Sequence, residues 1–190
     1  ATAADLLALD GKTSVVVDAK SVTTITGNAA DVTDVLAAKT IAKAADVAVT
    51  INGDITALEA NSIAKLATGV VTAIVADGSA SYLNTTLKDA KATDALTLTV
   101  TGTTATAADL NALDGKTKEV ITVEAKAVTG TFADLNKVYV TNAANFSGLN
   151  DENVTITDKT VSASDANIIA NVVDGKVTAT VTAADAATLV

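Results

Sequence analysis

The sequence predicts an α/β repeat solenoid, with right-handed coils of about 26 residues that each hold one short helix and one parallel β-strand. Three observations predict it. Residues 1–13 read ATAADLLALDGKT and residues 105–117 read ATAADLNALDGKT, differing only at Leu7 and Asn111. Helix-start signatures recur along the whole chain. Between them run extended stretches rich in β-branched residues. An all-β solenoid with merely helix-like corners is the alternative architecture.

A capping residue followed by two small residues and an acid marks a helix start, because the side-chain oxygen of the cap accepts the amide three positions on. Such openings begin at Thr2, Asn28, Thr56, Ser79, Thr106, Thr131, Ser162 and Thr182. Asp5, Asp31, Glu59, Asp109, Asp134, Asp165 and Asp185 supply the acid, while Tyr82 stands in its place after Ser79. The spacings of 26, 28, 23, 27, 25, 31 and 20 residues suit units that cannot hide their own apolar face and must stack on neighbours. Residues 1–190 are thus expected to form a single solenoid of about seven coils, part of a longer array.

Seven positions past each cap stands Leu9, Val35, Ile63, Leu113, Val138, Ile169 or Leu189, which the helix is expected to turn inward; Thr86 departs from the pattern. Asp10-Gly11, Asp114-Gly115 and Asp174-Gly175 follow some of these helices, with glycine expected in the left-handed turn that ends a helix. Lys12, Lys116 and Lys176 come next, where a cation suits the carboxyl end of the helix dipole.

Strands are expected over residues 15–17, 47–51, 70–75, 96–103, 120–123, 154–157 and 177–182. Leu96, Leu98 and Val100 alternate with Thr97, Thr99 and Thr101, so one face is buried and the other is a wet threonine face. Val15, Val16 and Val17 have no polar alternation and are expected to be covered on both sides.

Composition narrows the chemistry. Apolar residues make up 49% of the chain, enough for a core, but Tyr82, Tyr139, Phe132 and Phe146 are its only aromatics, so that core is thin. Histidine, cysteine, methionine, tryptophan, proline, arginine and glutamine are absent. The commonest general base, the thiol nucleophile, the guanidinium clamp and the usual nitrogen and sulfur metal ligands are therefore missing, and no enzyme activity is expected. A net charge of −9 and a pI near 4.3 argue against a nucleic-acid partner, which needs a basic patch to release counterions. The longest apolar stretch, residues 66–76, is too short to span a bilayer, so no membrane insertion is expected. The chain opens without Met or an apolar leader, as expected of a processed or excised piece.

Asp10, Asp77, Asp114 and Asp174 precede glycines and are weak candidate calcium ligands if the coils align them along one edge. The bland alternative is turns and caps. Asp151, Glu152 and Asp158 form the one local acid cluster, expected in a solvated loop. Thr97/Thr99/Thr101/Thr103, Thr155/Thr157 and Thr178/Thr180/Thr182 suggest a flat ice- or glycan-binding face, although unequal coil lengths would spoil a regular lattice. Asn84, Asn145 and Asn153 open glycosylation sequons that an Asn- and Thr-rich chain also produces by chance.

The phrases TAADLNALDGKT, AKAVTGTFADLN and GLNDENVTITDKTVSASDANII resemble the degenerate tandem repeats of very large secreted cell-surface proteins of marine cyanobacteria and related bacteria. The resemblance covers the whole chain and carries no catalytic motif. It implies a non-catalytic structural segment of an extracellular adhesin, surface layer, matrix or filament. Its expected partners are neighbouring repeats of the same polypeptide or copies joined end to end. A ligand-binding module for calcium, glycan or ice is the alternative. The consensus unit at residues 2–12 and the helix start at residues 182–190 both lack the polar caps that close a solenoid, which is why end-to-end association is expected.

Overall fold

A computed structural model describes residues 1–183. The last helix start, with Asp185, Leu189 and Val190, lies outside the described residues. Seven α-helices are found among those described: α1 (Ala3–Asp10), α2 (Ala29–Ala37), α3 (Ala57–Leu66), α4 (Ala80–Thr86), α5 (Ala107–Asp114), α6 (Phe132–Asn136) and α7 (Ala163–Ala170), with a π-helical turn at Lys137–Thr141 and a 3-10 turn at Ala143–Asn145. The strands are β1 (Val17–Ala19), β2 (Thr24–Gly27), β3 (Ile41–Lys43), β4 (Ala48–Ile55), β5 (Val71–Val75), β6 (Ala95–Thr97), β7 (Thr99–Val100), β8 (Ala105–Thr106), β9 (Ile121–Val123), β10 (Ala127–Gly130), β11 (Phe146–Ser147), β12 (Asn153–Ile156) and β13 (Val177–Thr178).

Local chemistry sets the helix starts. Thr2, Asn28, Thr56, Ser79, Thr106, Thr131 and Ser162 each accept the amide three residues on, at 2.9–3.2 Å. The reciprocal bond of a full capping box is formed at Thr56, whose own amide reaches Glu59 Oε2 at 2.9 Å. Thr2, Thr106 and Thr131 instead donate their hydroxyls to the carboxylates of Asp5, Asp109 and Asp134. Aspartate is one methylene shorter than glutamate and meets the cap's side chain rather than its backbone.

The chain divides into two compact units. The first comprises Ala1–Ala76, Thr85–Leu98 and Gly115–Glu119; the second comprises Asp77–Asn84, Thr99–Asp114 and the described residues from Val120 onward. The first holds a two-stranded sheet, β1-β3, and a four-stranded sheet, β2-β4-β5-β6. Ile25, Val35, Val49, Ile63, Val71 and Leu96 are fully buried in it. The second holds sheets β7-β9-β11 and β8-β10-β12-β13, with Leu110, Leu113, Ile121, Val128, Leu135 and Val154 fully buried. Every strand pairing is parallel.

This is a mixed α/β fold with four small, open parallel sheets, and it overturns the expected solenoid of one strand and one helix per coil. The all-β alternative fails on the seven helices. Most consecutive helices are separated by two short extended segments rather than one: β1 and β2 follow α1, β3 and β4 follow α2, β9 and β10 follow α5, and β11 and β12 follow α6. With strands of two to eight residues, the segments do not merge into one ladder.

Smaller expectations are corrected for equally local reasons. Leu9 is 52% exposed although Val35, Ile63, Leu113, Val138 and Ile169 are fully buried. Val15 and Val16, expected to be covered, are 72% and 56% exposed, and β1 begins only at Val17. Gly11 has φ −66° and is not left-handed; positive φ occurs at Gly53, Gly102 and Gly148 instead. Gly175 is needed for close approach, since a Cβ there would collide with the Glu152 carbonyl.

Candidate functional site

Strand register places threonines in rows that cross from one strand to the next. In the first unit Thr2 bridges to Thr26, Thr26 pairs with Thr50, and Thr50 pairs with Thr72. In the second, Thr106, Thr129, Thr155 and Thr178 pair in succession. Each rung is exposed or half-buried. The residue before a rung points inward: Ile25, Val49 and Val71 in the first unit, Ala105, Val128 and Val154 in the second, all buried. A β-branched or small residue followed by threonine thus puts an apolar group in the core and a hydroxyl and methyl on the surface at every step of about 4.8 Å.

The rungs are separated by 24, 24 and 22 residues in the first unit and by 23, 26 and 23 in the second. Unequal repeat lengths do not break the rows, contrary to the sequence expectation; the longest separation, Thr129 to Thr155, also holds a π-helical turn at Lys137–Thr141 and a 3-10 turn at Ala143–Asn145. A shorter hydroxyl row, Thr99, Thr122 and Ser147, also runs across paired strands, with Ser147 Oγ donating to Thr122 at 3.3 Å. Of the threonines picked out by sequence, Thr155 and Thr178 are rungs, and Thr99 belongs to the shorter row. Thr97 and Thr99 fall on separate strands, and Thr180 and Thr182 lie beyond β13.

The four candidate calcium ligands are not gathered. Asp10 accepts the Thr40 hydroxyl at 2.9 Å, and Asp114 accepts the side-chain amides of Asn142 and Asn145 at 3.0 and 2.8 Å. Asp77 and Asp174 are exposed. Among the described residues no group of three or more acidic, histidine or cysteine side chains is placed to hold a metal.

Of the acid cluster Asp151 is exposed and Asp158 half-buried, but Glu152 is not solvated. Glu152 is 3% exposed, accepting the Tyr139 hydroxyl on one oxygen and the Asn150 amide on the other at 2.8 Å. Burial, and then the neighbouring carboxylate, push the Tyr139 phenol well above the usual tyrosine range. Asp158 caps the amide of Phe132 at 2.6 Å. Glu152 and Asp151 also line a cavity of about 600 Å³ with Thr101, Thr122, Glu124 and Lys126. The three sequon asparagines are tied as well: Asn84 to Asp109, Asn145 to Asp114, and Asn153 to the Lys176 amide.

Sequence reasoning missed the buried polar ties that join one repeat to another. In the first unit Asp94, fully buried, accepts the amides of Val71 and Lys91 at 3.0 and 2.9 Å. Thr117, also buried, takes the Leu96 amide and returns its hydroxyl to the Leu96 carbonyl, at 3.0 and 2.8 Å. Asn61 and Asp89 exchange two bonds at 3.0 and 2.7 Å. Of the expected helix-end cations only Lys116 reaches a helix end, the Leu87 carbonyl just past α4, and two others do so that were not expected. Lys43 donates to the carbonyls of Val35, Ala38 and Ile41 at the end of α2, and Lys91 to Ala67 at the end of α3. Desolvation holds the Lys43 ammonium below its ordinary pKa. Lys116 reaches the Leu87 carbonyl rather than the end of α5, while Lys12 and Lys176 are exposed. In the second unit Asn111, the one residue that departs from the repeated phrase, donates to the Asp134 carbonyl at 3.0 Å.

No helix among the described residues is long and apolar enough to cross a membrane. Comparison with protein-family models, curated proteins and solved structures finds no match.

Proposed function

We propose that the chain is a non-catalytic structural segment of an extracellular surface, adhesin, surface-layer or matrix protein, whose work is to hold a shape. One observation carries this reading: a set of its polar side chains ties repeat to repeat. Asp94, Thr117, Lys91, Lys116 and the Asn61–Asp89 pair do so in the first unit; Asn84–Asp109, Asn111, Asp114 with Asn142 and Asn145, and Asp158 do so in the second. Side chains held at fixed distances by buried and half-buried bonds serve rigidity, whereas general acid–base chemistry needs a titratable group within reach of a substrate. Antibody localisation in source cells tests the reading. Label on the envelope or surrounding matrix is the expected result, and label confined to the cytosol refutes it.

A second reading, an ice- or water-ordering face, is favoured by the two four-rung threonine rows. Uncharged hydroxyls and methyls at one repeat distance present a flat, regular surface. Thermal hysteresis measured on the purified chain, and abolished by Thr50→Lys with Thr129→Lys, is its expected signature. Its absence removes this reading and leaves the first untouched.

A further inference from the structure

An asparagine followed by glycine is a chemically labile step, because the glycine amide has no side chain beside it and can reach the carboxamide carbon of the asparagine. Of the twelve asparagines in the chain, only Asn52 precedes a glycine. Others are held by their side chains. Asn28, Asn61, Asn84, Asn111, Asn142 and Asn145 each bond a carboxylate or a backbone group. Asn52 is exposed, and among the described residues its carboxamide has no such tie.

The backbone of β4 is also free at this point. Its pairing with β2 ends at Ile51, and its pairing with β5 jumps from Thr50–Thr72 to Asp54–Ile74. Four residue steps on β4 thus match two on β5, and Asn52 and Gly53 are paired in neither register. Gly53 has φ +78°, the left-handed conformation of a bulge glycine, and a Cβ built on it would meet nothing within 4 Å. The step stands in open solvent. Aspartate–glycine steps close the same ring more slowly, and here they are restrained: the amides of Gly11, Gly78 and Gly175 donate to the carbonyls of Leu7, Thr99 and Asn150 at 2.9, 3.3 and 3.3 Å.

We propose that Asn52–Gly53 is a self-modification site, at which the folded chain converts its own asparagine to aspartate and isoaspartate with water as the co-reactant. The Gly53 amide gives its proton to solvent and its nitrogen attacks Asn52 Cγ. A nitrogen–carbon bond forms, the bond from Cγ to the side-chain nitrogen breaks, and that nitrogen leaves as ammonia with a proton from solvent. A five-membered succinimide ring remains, and water opens it. Addition at Cγ breaks its bond to the ring nitrogen and restores the ordinary chain with an aspartate side chain. Addition at the Asn52 main-chain carbonyl breaks the original peptide bond instead, so the chain runs through Cγ, one methylene longer, and the carbonyl becomes a free carboxylate. One water is consumed and one ammonia released, with nothing oxidised or reduced. The unpaired bulge takes up the longer link, so Thr50–Thr72 and Asp54–Ile74 keep their register. Either product adds a negative charge beside exposed Asp54 and two residues from the rung Thr50. Nothing in this chemistry depends on where the protein resides, and the converted fraction records how long a molecule has existed.

The purified whole chain, held folded at mildly alkaline pH for weeks, tests this. Ion-exchange chromatography is expected to resolve a growing species more acidic by one charge. Peptide mass spectrometry is expected to place the change at Asn52, with Asn84 and Asn142, both tied by their side chains, intact in the same digests. Methylation by an isoaspartyl methyltransferase is expected to show that part of the product is isoaspartate. Conversion in the folded chain is expected within about tenfold of that in the same chain unfolded in guanidinium chloride, since a site the fold does not protect gains little from unfolding. Asn52→Gln, which would have to close a six-membered ring, is expected to abolish the acidic species while keeping the parent's circular dichroism spectrum. Slower conversion of the folded chain than that limit, or an acidic species that maps to another residue or persists in Asn52→Gln, overturns the proposal.

Discussion

Leu113→Ala and Leu9→Ala are the same substitution in the same helical phrase, seven residues past the same cap. Helix propensity, capping and rotamer entropy cancel between them, which leaves burial. Leu113 is fully buried, so its truncation loses the transfer free energy of the removed carbons and opens a cavity, a cost of about 2–5 kcal/mol. Leu9 is 52% exposed. Half of its side chain is already in water and the space left behind opens to solvent, so its truncation costs under about 1 kcal/mol. The difference between the two is therefore about 1–5 kcal/mol. Urea denaturation of both variants, at a concentration where the chain is monomeric, measures it. Native-state hydrogen exchange shows whether protection is lost mainly in the second unit for Leu113→Ala. Costs equal within about 0.5 kcal/mol would refute the reasoning, because they would mean that one phrase sits in one environment at both places.

Three other outcomes are expected. Thr106→Ala removes the acceptor for the Asp109 amide at 3.0 Å and costs about 0.5–2 kcal/mol, whereas Thr99→Val is tolerated; equal losses in denaturation midpoint would mean that the cap contributes nothing. Asp94→Ala leaves the Val71 and Lys91 amides without their acceptor and costs about 2–6 kcal/mol at roughly 1–3 per orphaned donor, so a melt unchanged from the parent would contradict the buried tie. The Tyr139 phenol binds its proton more tightly in the folded chain, so the stabilisation is complete below the ordinary tyrosine pKa of about 10 and is lost as pH rises beyond it. One of the two tyrosines should therefore stay silent in tyrosinate absorbance until the chain unfolds, and simultaneous titration of both in folded protein would oppose this.

The helix starts were legible because a cap is a bond across three residues. Thr2, Asn28, Thr56, Ser79, Thr106, Thr131 and Ser162 needed nothing from the rest of the chain. Leu9 could not be told from Leu113, since their neighbours in sequence are nearly the same and their neighbours in space are not. The strands β2, β3, β8, β10 and β11 were missed because runs such as IAK, AVTG and the two-residue β8 and β11 are too short or too rich in small residues to register as extended. Their omission turned two extended segments per repeat into one and produced the wrong architecture. Asp94, Thr117 and Glu152 look like ordinary surface residues in the sequence; only pairing at separations of twenty residues or more for Asp94 and Thr117 shows why the first two are buried. The threonine rows were half visible. Sequence displays alternation along a strand, while a row across strands exists only once register is known.

That register has a consequence for how such a gene can change. Rungs are matched by backbone pairing, so a deletion or insertion falling in a loop between rungs, outside the capped helices and the repeat-to-repeat ties, is absorbed locally and closing the altered loop costs little. A one-residue slip inside a strand is a different event: it would turn Val49 outward and Thr50 inward, out of step with every partner in the row. Repeat length is therefore free to drift under replication errors while the two-residue step from core to rung is not, and repeats of visibly unequal length are what such a history leaves behind.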